Sequence, residues 1–473
     1  MKMNLVVVFA LVCCKLVEAT QPTGNAVTKP VDEPKPDRPN IVFLLIDDLG
    51  YADVGFNGCK DIQTPQIDRL ARDGAVLESH YVQPVCSPTR AAFLTGRYAT
   101  RTGVYTVVRP HAHWGLPLTE RTLASALKDA GYETAIAGKW HLGEFDRAYL
   151  PTSRGFDHQY GHSFGAIDYF THLRDGTHDW SRNDQDHPES GYSTHLITDE
   201  ACRRIAERDP AKPLFLYVPF NGVHSPLQVP EEYLTPYANI PGNRRLLAGM
   251  LSAVDEAIGR IVEALQTAGI RDNTLIVFSA DNGGPNPRGL SDNGLLRSGK
   301  GTLYEGGVRA CAFANWPGKI TAGRRIQQPV HVVDWYPTLI TLAGGSLKQT
   351  TQIDGLDIAP VLISDAESPH DAILLVQTPQ RAAIRMGDWK LLLNATEDAS
   401  ESGPEAQTKP AKKRAKRKNP APPPVELFNL NEDLSESKNL AEQDPERVAT
   451  MRARLEQMLK NAAAPGHLSA QSK

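Results

Sequence analysis

After its first 19 residues the chain has no hydrophobic run long enough to cross a bilayer, which takes about 20 apolar residues. Nor has it a surplus of one charge. The 51 lysines and arginines face 55 aspartates and glutamates, a formal charge of −4. That balance excludes the basic field through which nucleic-acid binders work. Six cysteines in 473 residues are too few, and too irregularly spaced, for a disulfide scaffold or a cysteine zinc site. No internal repeat recurs. What is left is ordinary globular material, 41% hydrophobic and 22% charged. The length allows one large domain plus a smaller one.

Residues 1–19 read as a secretion signal: Lys2 leads, Leu5 to Cys14 is apolar, and Val17-Glu18-Ala19 offers a small-residue cleavage site. An amino-terminal anchor fits less well, because the run is short and Lys15 interrupts it. The expectation is an exported protein, periplasmic or secreted, with no integral membrane segment once the signal is cleaved. Cys13 and Cys14 would leave with the signal, and Cys59, Cys86, Cys202 and Cys311 would stay. Residues 20–38, rich in Pro, Lys, Asp and Thr, read as a disordered lead-in.

Order begins at Asn40-Ile-Val-Phe-Leu-Leu-Ile46, a continuous apolar run suited to a strand buried on both faces. Thr134–Ala137, Pro213–Val218 and Thr274–Ser279 read as further buried strands. Leu123–Ala130 and Leu251–Leu265 have helical spacing between them. Alternating strands and helices predict an α/β domain over 39–370 with a mostly parallel sheet. From 371 to 473 the texture changes. A hairpin turning at Gly387-Asp388, a strand at Glu426–Leu430 and a helix over Pro445–Lys460 predict a small α+β domain. A basic, Pro-rich insertion at 397–424 interrupts it. Its cationic run Lys409–Lys418 reads as a solvated segment before it reads as a polyanion site.

Polar residues recur where strands end. Asp47 and Asp48 follow one strand, Asn221 to His224 a second, and Asp281-Asn282 a third. Open α/β sheets bind ligands at the carboxyl ends of their strands, so the three exits predict one cleft. Asp47, Asp48, Asp281 and Asn282 offer only oxygen ligands, which suit Ca²⁺ or Mg²⁺ and not zinc. In Cys86-Ser-Pro-Thr-Arg90, Pro88 suits a helix opening, and Ala91–Leu94 can continue the helix. Cys86 then stands at a helix N-terminus, which favours an anion. A lone cysteine there reads first as a small buried apolar side chain. Lys139 and His141 alternate along an extended segment and can face one side, Lys139 toward an anion and His141 to exchange a proton. His224 precedes a Ser-Pro turn and Lys300 lies between glycines; each alone reads as a loop residue. The His111–Trp114 stretch and the His-, Asp- and aromatic-rich segment Asp157–Asp186 fit a sugar pocket or ordinary loops equally.

Taken together, Cys86-Ser-Pro-Thr-Arg90 with Leu94-Thr-Gly-Arg97, and Gly131-Tyr-Glu-Thr-Ala-Ile-Ala-Gly-Lys139-Trp-His141, resemble the two signatures of the type I sulfatases. The resemblance runs from about Asn40 to Asp357 and is strongest toward arylsulfatase B (N-acetylgalactosamine-4-sulfatase)-like members. It implies an alkaline-phosphatase-like fold, a large mixed, mostly parallel sheet sandwiched by helices. It implies that a sulfatase-maturing enzyme oxidises Cys86 to formylglycine. One Ca²⁺ would be held by Asp47, Asp48, residue 86, Asp281 and Asn282. The implied catalytic set is Cys86, Arg90, Lys139, His141, His224 and Lys300, and the implied substrate is a sulfated carbohydrate. In that scheme a hydroxyl of the hydrated aldehyde attacks sulfur and His224 protonates the leaving oxygen. His141 then helps the second hydroxyl expel sulfate. Two alternatives stand beside it: a formylglycine-dependent phosphate or phosphonate ester hydrolase, and an inactive sulfated-glycan-binding relative.

Overall fold

Asn40–Ile46 forms a strand in which every residue is buried, as a parallel strand covered on both faces requires. In this computed structural model, which describes residues 38–286, 290–396 and 425–469, that strand lies inside a ten-stranded mixed sheet. The secretion signal expected at 1–19, residues 20–37 of the expected lead-in and the insertion at 397–424 lie outside the described residues. Asn40–Ile46 pairs in parallel with Leu214–Pro219 on one side and Thr274–Ala280 on the other. Glu133–Lys139 and His158–His162 extend the parallel block. Beyond Thr274–Ala280 the pairing turns antiparallel through Ala312–Asn315 and Ala75–Leu77. The sheet is therefore mostly parallel at its centre and mixed at its margins.

Side chains alternate along the central strand, so Ile41, Phe43 and Leu45 share one face. Phe43 packs on Phe93 with ring centroids 3.9 Å apart, which puts the Cys86–Thr95 helix on that face. All ten residues of this helix are buried. It ends at Gly96, whose left-handed conformation (φ 67°) lets its N–H close the last turn on the Ala92 carbonyl. The helices Ser193–Glu207 and Gly242–Thr267 pack on each other as a separate layer.

Helical spacing predicted only Leu251–Leu265 of the second helix. Its first turns add Leu247, Ala248 and Met250 to the buried face. The strand expected at Thr134–Ala137 runs from Glu133 to Lys139, because both polar ends find partners: Glu133 accepts from the Asp209 N–H at 2.8 Å, and Lys139 pairs with Asp47.

Ile373–Thr378, Arg381–Met386, Trp389–Leu393 and Val425–Asn429 form a four-stranded antiparallel sheet in chain order. Its hairpin turns at Gly387 (φ 55°), and the helix Pro445–Leu459 buries Met451 and Leu455 against it. This smaller sheet is tied to the rest through buried polar groups. The Lys390 ammonium lies 2.8 Å from Glu305 and 2.9 Å from Glu436, all three side chains being inaccessible.

Candidate active site

The three strand exits converge because their strands are neighbours in the sheet. The Asp47 N–H donates to the Gly222 carbonyl at 3.0 Å, and the Asp281 N–H to the Ile46 carbonyl at 3.0 Å. Asp47 continues the face of Phe43 and Leu45 and so turns toward the Cys86 helix. Asp48 adopts a left-handed conformation (φ 61°), and its N–H donates to Asp281 Oδ1 at 3.2 Å. Strain of this kind persists where the surroundings over-determine it, commonly at functional sites.

Potential ligand atoms of Asp47, Cys86 and Asp281 lie within 4.8 Å of one another, as do those of Asp47, Asp48 and His224. Asn282 donates to Asp48 Oδ1 at 2.8 Å, while its own Oδ1 is buried without a hydrogen-bond partner. Asp47 Oδ1 is likewise buried and unpartnered. Two orphaned oxygens beside three carboxylates fit a hard cation with oxygen ligands.

The electrostatics agree. Burial works against ionisation of Asp47, but the charges of Lys139, His224, Arg90 and Lys300 outweigh it and hold the carboxyl far below its usual range. Burial first, then the charge of Asp47, push Asp281 up to about 7, against the pull of Arg90 and Lys139. Two carboxyls this close and this buried ionise together only with more positive charge between them.

Cations ring the carboxylates. Lys139 Nζ pairs with Asp47, and Lys300 Nζ lies 2.7 Å from Asp48 Oδ1. Arg90 is fully buried and holds Asp281 at 3.0 Å, Asp47 at 3.3 Å and the Lys139 carbonyl at 2.9 Å. Its guanidinium is committed to the carboxylates beneath the site. The Cys86 thiol is pushed up to about 11, chiefly by burial. An unmodified thiol here stays protonated and is a poor nucleophile.

The two histidines are held differently. The extended run expected through His141 stops at Lys139, and His141 takes a left-handed conformation (φ 59°). Its N–H donates to the Ser163 carbonyl at 3.1 Å, and its Nε2 lies 2.9 Å from the Val108 carbonyl. That contact requires the proton on Nε2 and leaves Nδ1, buried and unpartnered, as an acceptor. Burial, then Lys139 and Arg90, keep this ring neutral well below its usual pKa. His224 Nδ1 lies 2.6 Å from the Ser225 carbonyl and its Nε2 3.6 Å from Asp48. Burial, then Lys300, lower its pKa as well.

Some supporting residues carried no sequence signal. The Ser87 hydroxyl donates to the His141 carbonyl at 2.9 Å and accepts from the Val108 N–H at 3.0 Å, tying the Cys86 helix to the histidine loop. The Tyr169 hydroxyl reaches the carbonyls of Asn221 at 2.6 Å and His224 at 2.7 Å, fixing that loop. Ser87 sits inside the first signature and was open to notice. Val108 and Tyr169 are recognisable only once the chain is folded.

Comparison with known proteins is consistent with this site. The Sulfatase family model matches residues 39–346. Arylsulfatase J of Mus musculus is 41% identical over 362 residues, covering 74% of this chain and 60% of the relative's own length. N-acetylgalactosamine-6-sulfatase of Mus musculus is 35% identical over 383 residues, covering 75% of this chain and 72% of its own. Among solved structures, Ps i-CgsB in complex with k-i-k-neocarrahexaose superposes with a TM-score of 0.80 at 32% identity, over 90% of this chain and 94% of that one. With a family match that spans both signatures and the three strand exits, the chain belongs to the sulfatase family.

Proposed function

We propose that the protein hydrolyses sulfate esters of a sulfated polysaccharide or glycosaminoglycan, using a formylglycine made from Cys86 and one bound Ca²⁺. The observation that carries this reading is the buried cluster itself: Cys86 at a helix start, within 4.8 Å of Asp47 and Asp281 and surrounded by Lys139, Lys300 and Arg90. Asp47, Asp48, Asp281 and Asn282 would hold the ion together with the side chain of residue 86. When present, the hydrated aldehyde supplies a hydroxyl nucleophile and the cation polarises the sulfate group.

The chain's own residues divide the remaining work. Lys139 and Lys300 offset the charge that builds on the transferring group, in a site from which bulk water is largely excluded. Arg90 keeps Asp47 and Asp281 in place from below. His141, neutral with a free Nδ1, takes a proton from a hydroxyl on residue 86. His224 hands a proton to the departing sugar oxygen. The family's maturing enzyme would act on Cys86 before the site closes, since the residue is 2% exposed in the folded protein. Export to the periplasm or beyond belongs to the same reading, as does a 4-sulfated N-acetylgalactosamine substrate. One relative is named for the 6-sulfated sugar, so both positions belong in the assay.

Rates on an aryl sulfate and the matching aryl phosphate, for protein produced with a maturing enzyme, test the reading. The sulfate is expected to be preferred by about 100-fold in kcat/KM. A preference for phosphate would favour the phosphoester alternative, and full turnover by Cys86→Ala would sink the mechanism.

A further inference from the structure

Beside the sulfate site lies a cavity of about 510 Å³, within the size range of small-ligand pockets, roughly 300–1,000 Å³. Its walls lead away from His141 in three directions. Glu144 and Phe145 follow His141 in the chain. His111 and His113 follow Val108, whose carbonyl holds the His141 ring. Ser163 and Phe164 precede Gly165, which lies so close that a Cβ added there would sit 2.5 Å from His141 Nε2. The segments that hold the His141 ring thus also line the cavity.

The lining differs in kind from the sulfate site. Among the described residues around the cavity there is no lysine or arginine, whereas Lys139, Lys300 and Arg90 crowd the carboxylates next door. Carboxyls come from Glu144, Asp179, Asp184 and Asp186, and the basic side chains are imidazoles only. One of these, His178, is taken up by Asp186 at 2.6 Å. Burial pushes Glu144 up to about 7 and Asp179 up to about 6, so both can exchange hydrogen bonds with hydroxyls near neutral pH. Phe145 is 37% exposed and packs on Tyr149 with centroids 4.5 Å apart, giving a ring on which a pyranose face can lie.

We propose that this cavity binds the sugar next to the sulfated one, and that it accepts an uncharged unit while rejecting a uronate or a second sulfate. The proposal rests on the sulfatase reading of the adjoining site. Carboxyls and imidazoles satisfy neutral hydroxyls, but an anionic group would meet no lysine or arginine among the lining residues and would face the carboxyls of Asp184 and Asp186.

Calorimetric titration of the Cys86→Ala protein tests it. The probes are two oligosaccharide pairs, one ending in a 4-sulfated and one in a 6-sulfated hexosamine. Within each pair the neighbouring unit is either a neutral hexose or a hexuronate. The neutral form of at least one pair is expected to bind about ten-fold more tightly. Asp186→Lys, at an exposed position, is expected to bring that ratio toward one. Phe145→Ala is expected to weaken the neutral form several-fold. Equal or tighter binding of the uronate form, a ratio unmoved by Asp186→Lys, or no binding by either pair would overturn the proposal. Neutral preference in the titration, with no sulfate released by the wild type, would remove the sulfatase reading and leave the cavity assignment standing.

Discussion

His141 and His224 share a side chain and differ in what surrounds it, and their variants should fail differently. In the proposed roles His141 Nδ1 is the proton acceptor at residue 86, so His141→Ala is expected to lower kcat by about 10²–10⁴-fold whatever the leaving group. In the same proposal His224 is the donor to the leaving oxygen. His224→Ala is therefore expected to cost about 10²-fold on a sugar sulfate, whose alkoxide leaves poorly, and far less on 4-nitrophenyl sulfate, whose phenolate needs no proton. Equal losses on both substrates would reject this assignment. The identity of these residues was legible in the sequence because each stands at a strand exit or in a signature. Their posture was not. The left-handed turn at His141 follows from carbonyls contributed by Val108 and Ser163, which no local spacing announces. The same holds for Arg90, whose helix position was readable while its commitment to two carboxylates from other strands was not.

At the scale of elements, the smaller sheet is held to the larger by charge as well as by apolar packing. Burial opposes ionisation of Glu305, yet Lys390, Arg309 and Arg385 hold its carboxyl down at about 2. Burial keeps Glu436, which shares the same ammonium, up at about 7. The Lys390→Met variant leaves Glu305 and Glu436 buried without that cation. It is expected to cost about 3–5 kcal/mol in reversible unfolding by denaturant. An unchanged midpoint would show that the Lys390 ammonium does not hold the sheets together. The native Glu305 contribution is present above pH 4.5 and is lost as pH falls through about 2. The link from Glu305 to Lys390 was not legible in the sequence, because 85 residues separate the partners. The central strands, by contrast, were read nearly to their ends, since a parallel strand covered on both faces leaves an unbroken apolar run.

For the whole molecule, acid and metal act on stability through buried groups. His80 is fully buried and accepts a hydrogen bond from Trp335 at 3.1 Å, and burial lowers its pKa to about 3. The unfolded chain takes up this proton near pH 6.5 while the folded protein stays neutral. The contribution is thus full above pH 6.5 and is lost as pH falls from there through about 3. The melting temperature is expected to be lower at pH 5 than at pH 7.5, and His80→Gln is expected to reduce that difference. A Ca²⁺ ion bound only by the folded state should add about 2.7 kcal/mol at 100 times its dissociation constant. Chelation should accordingly lower the melting temperature, and no response to calcium or chelator would count against the oxygen-ligand site. Turnover depends most directly on residue 86, because neither a thiol pushed up to about 11 nor a plain hydroxyl gives the proposed chemistry. Mass spectrometry of the peptide containing Cys86, from protein made in a host with a maturing enzyme, measures this. Conversion to formylglycine predicts a mass about 18 Da below that of the cysteine peptide; an unmodified cysteine in protein that releases sulfate at full rate would contradict it.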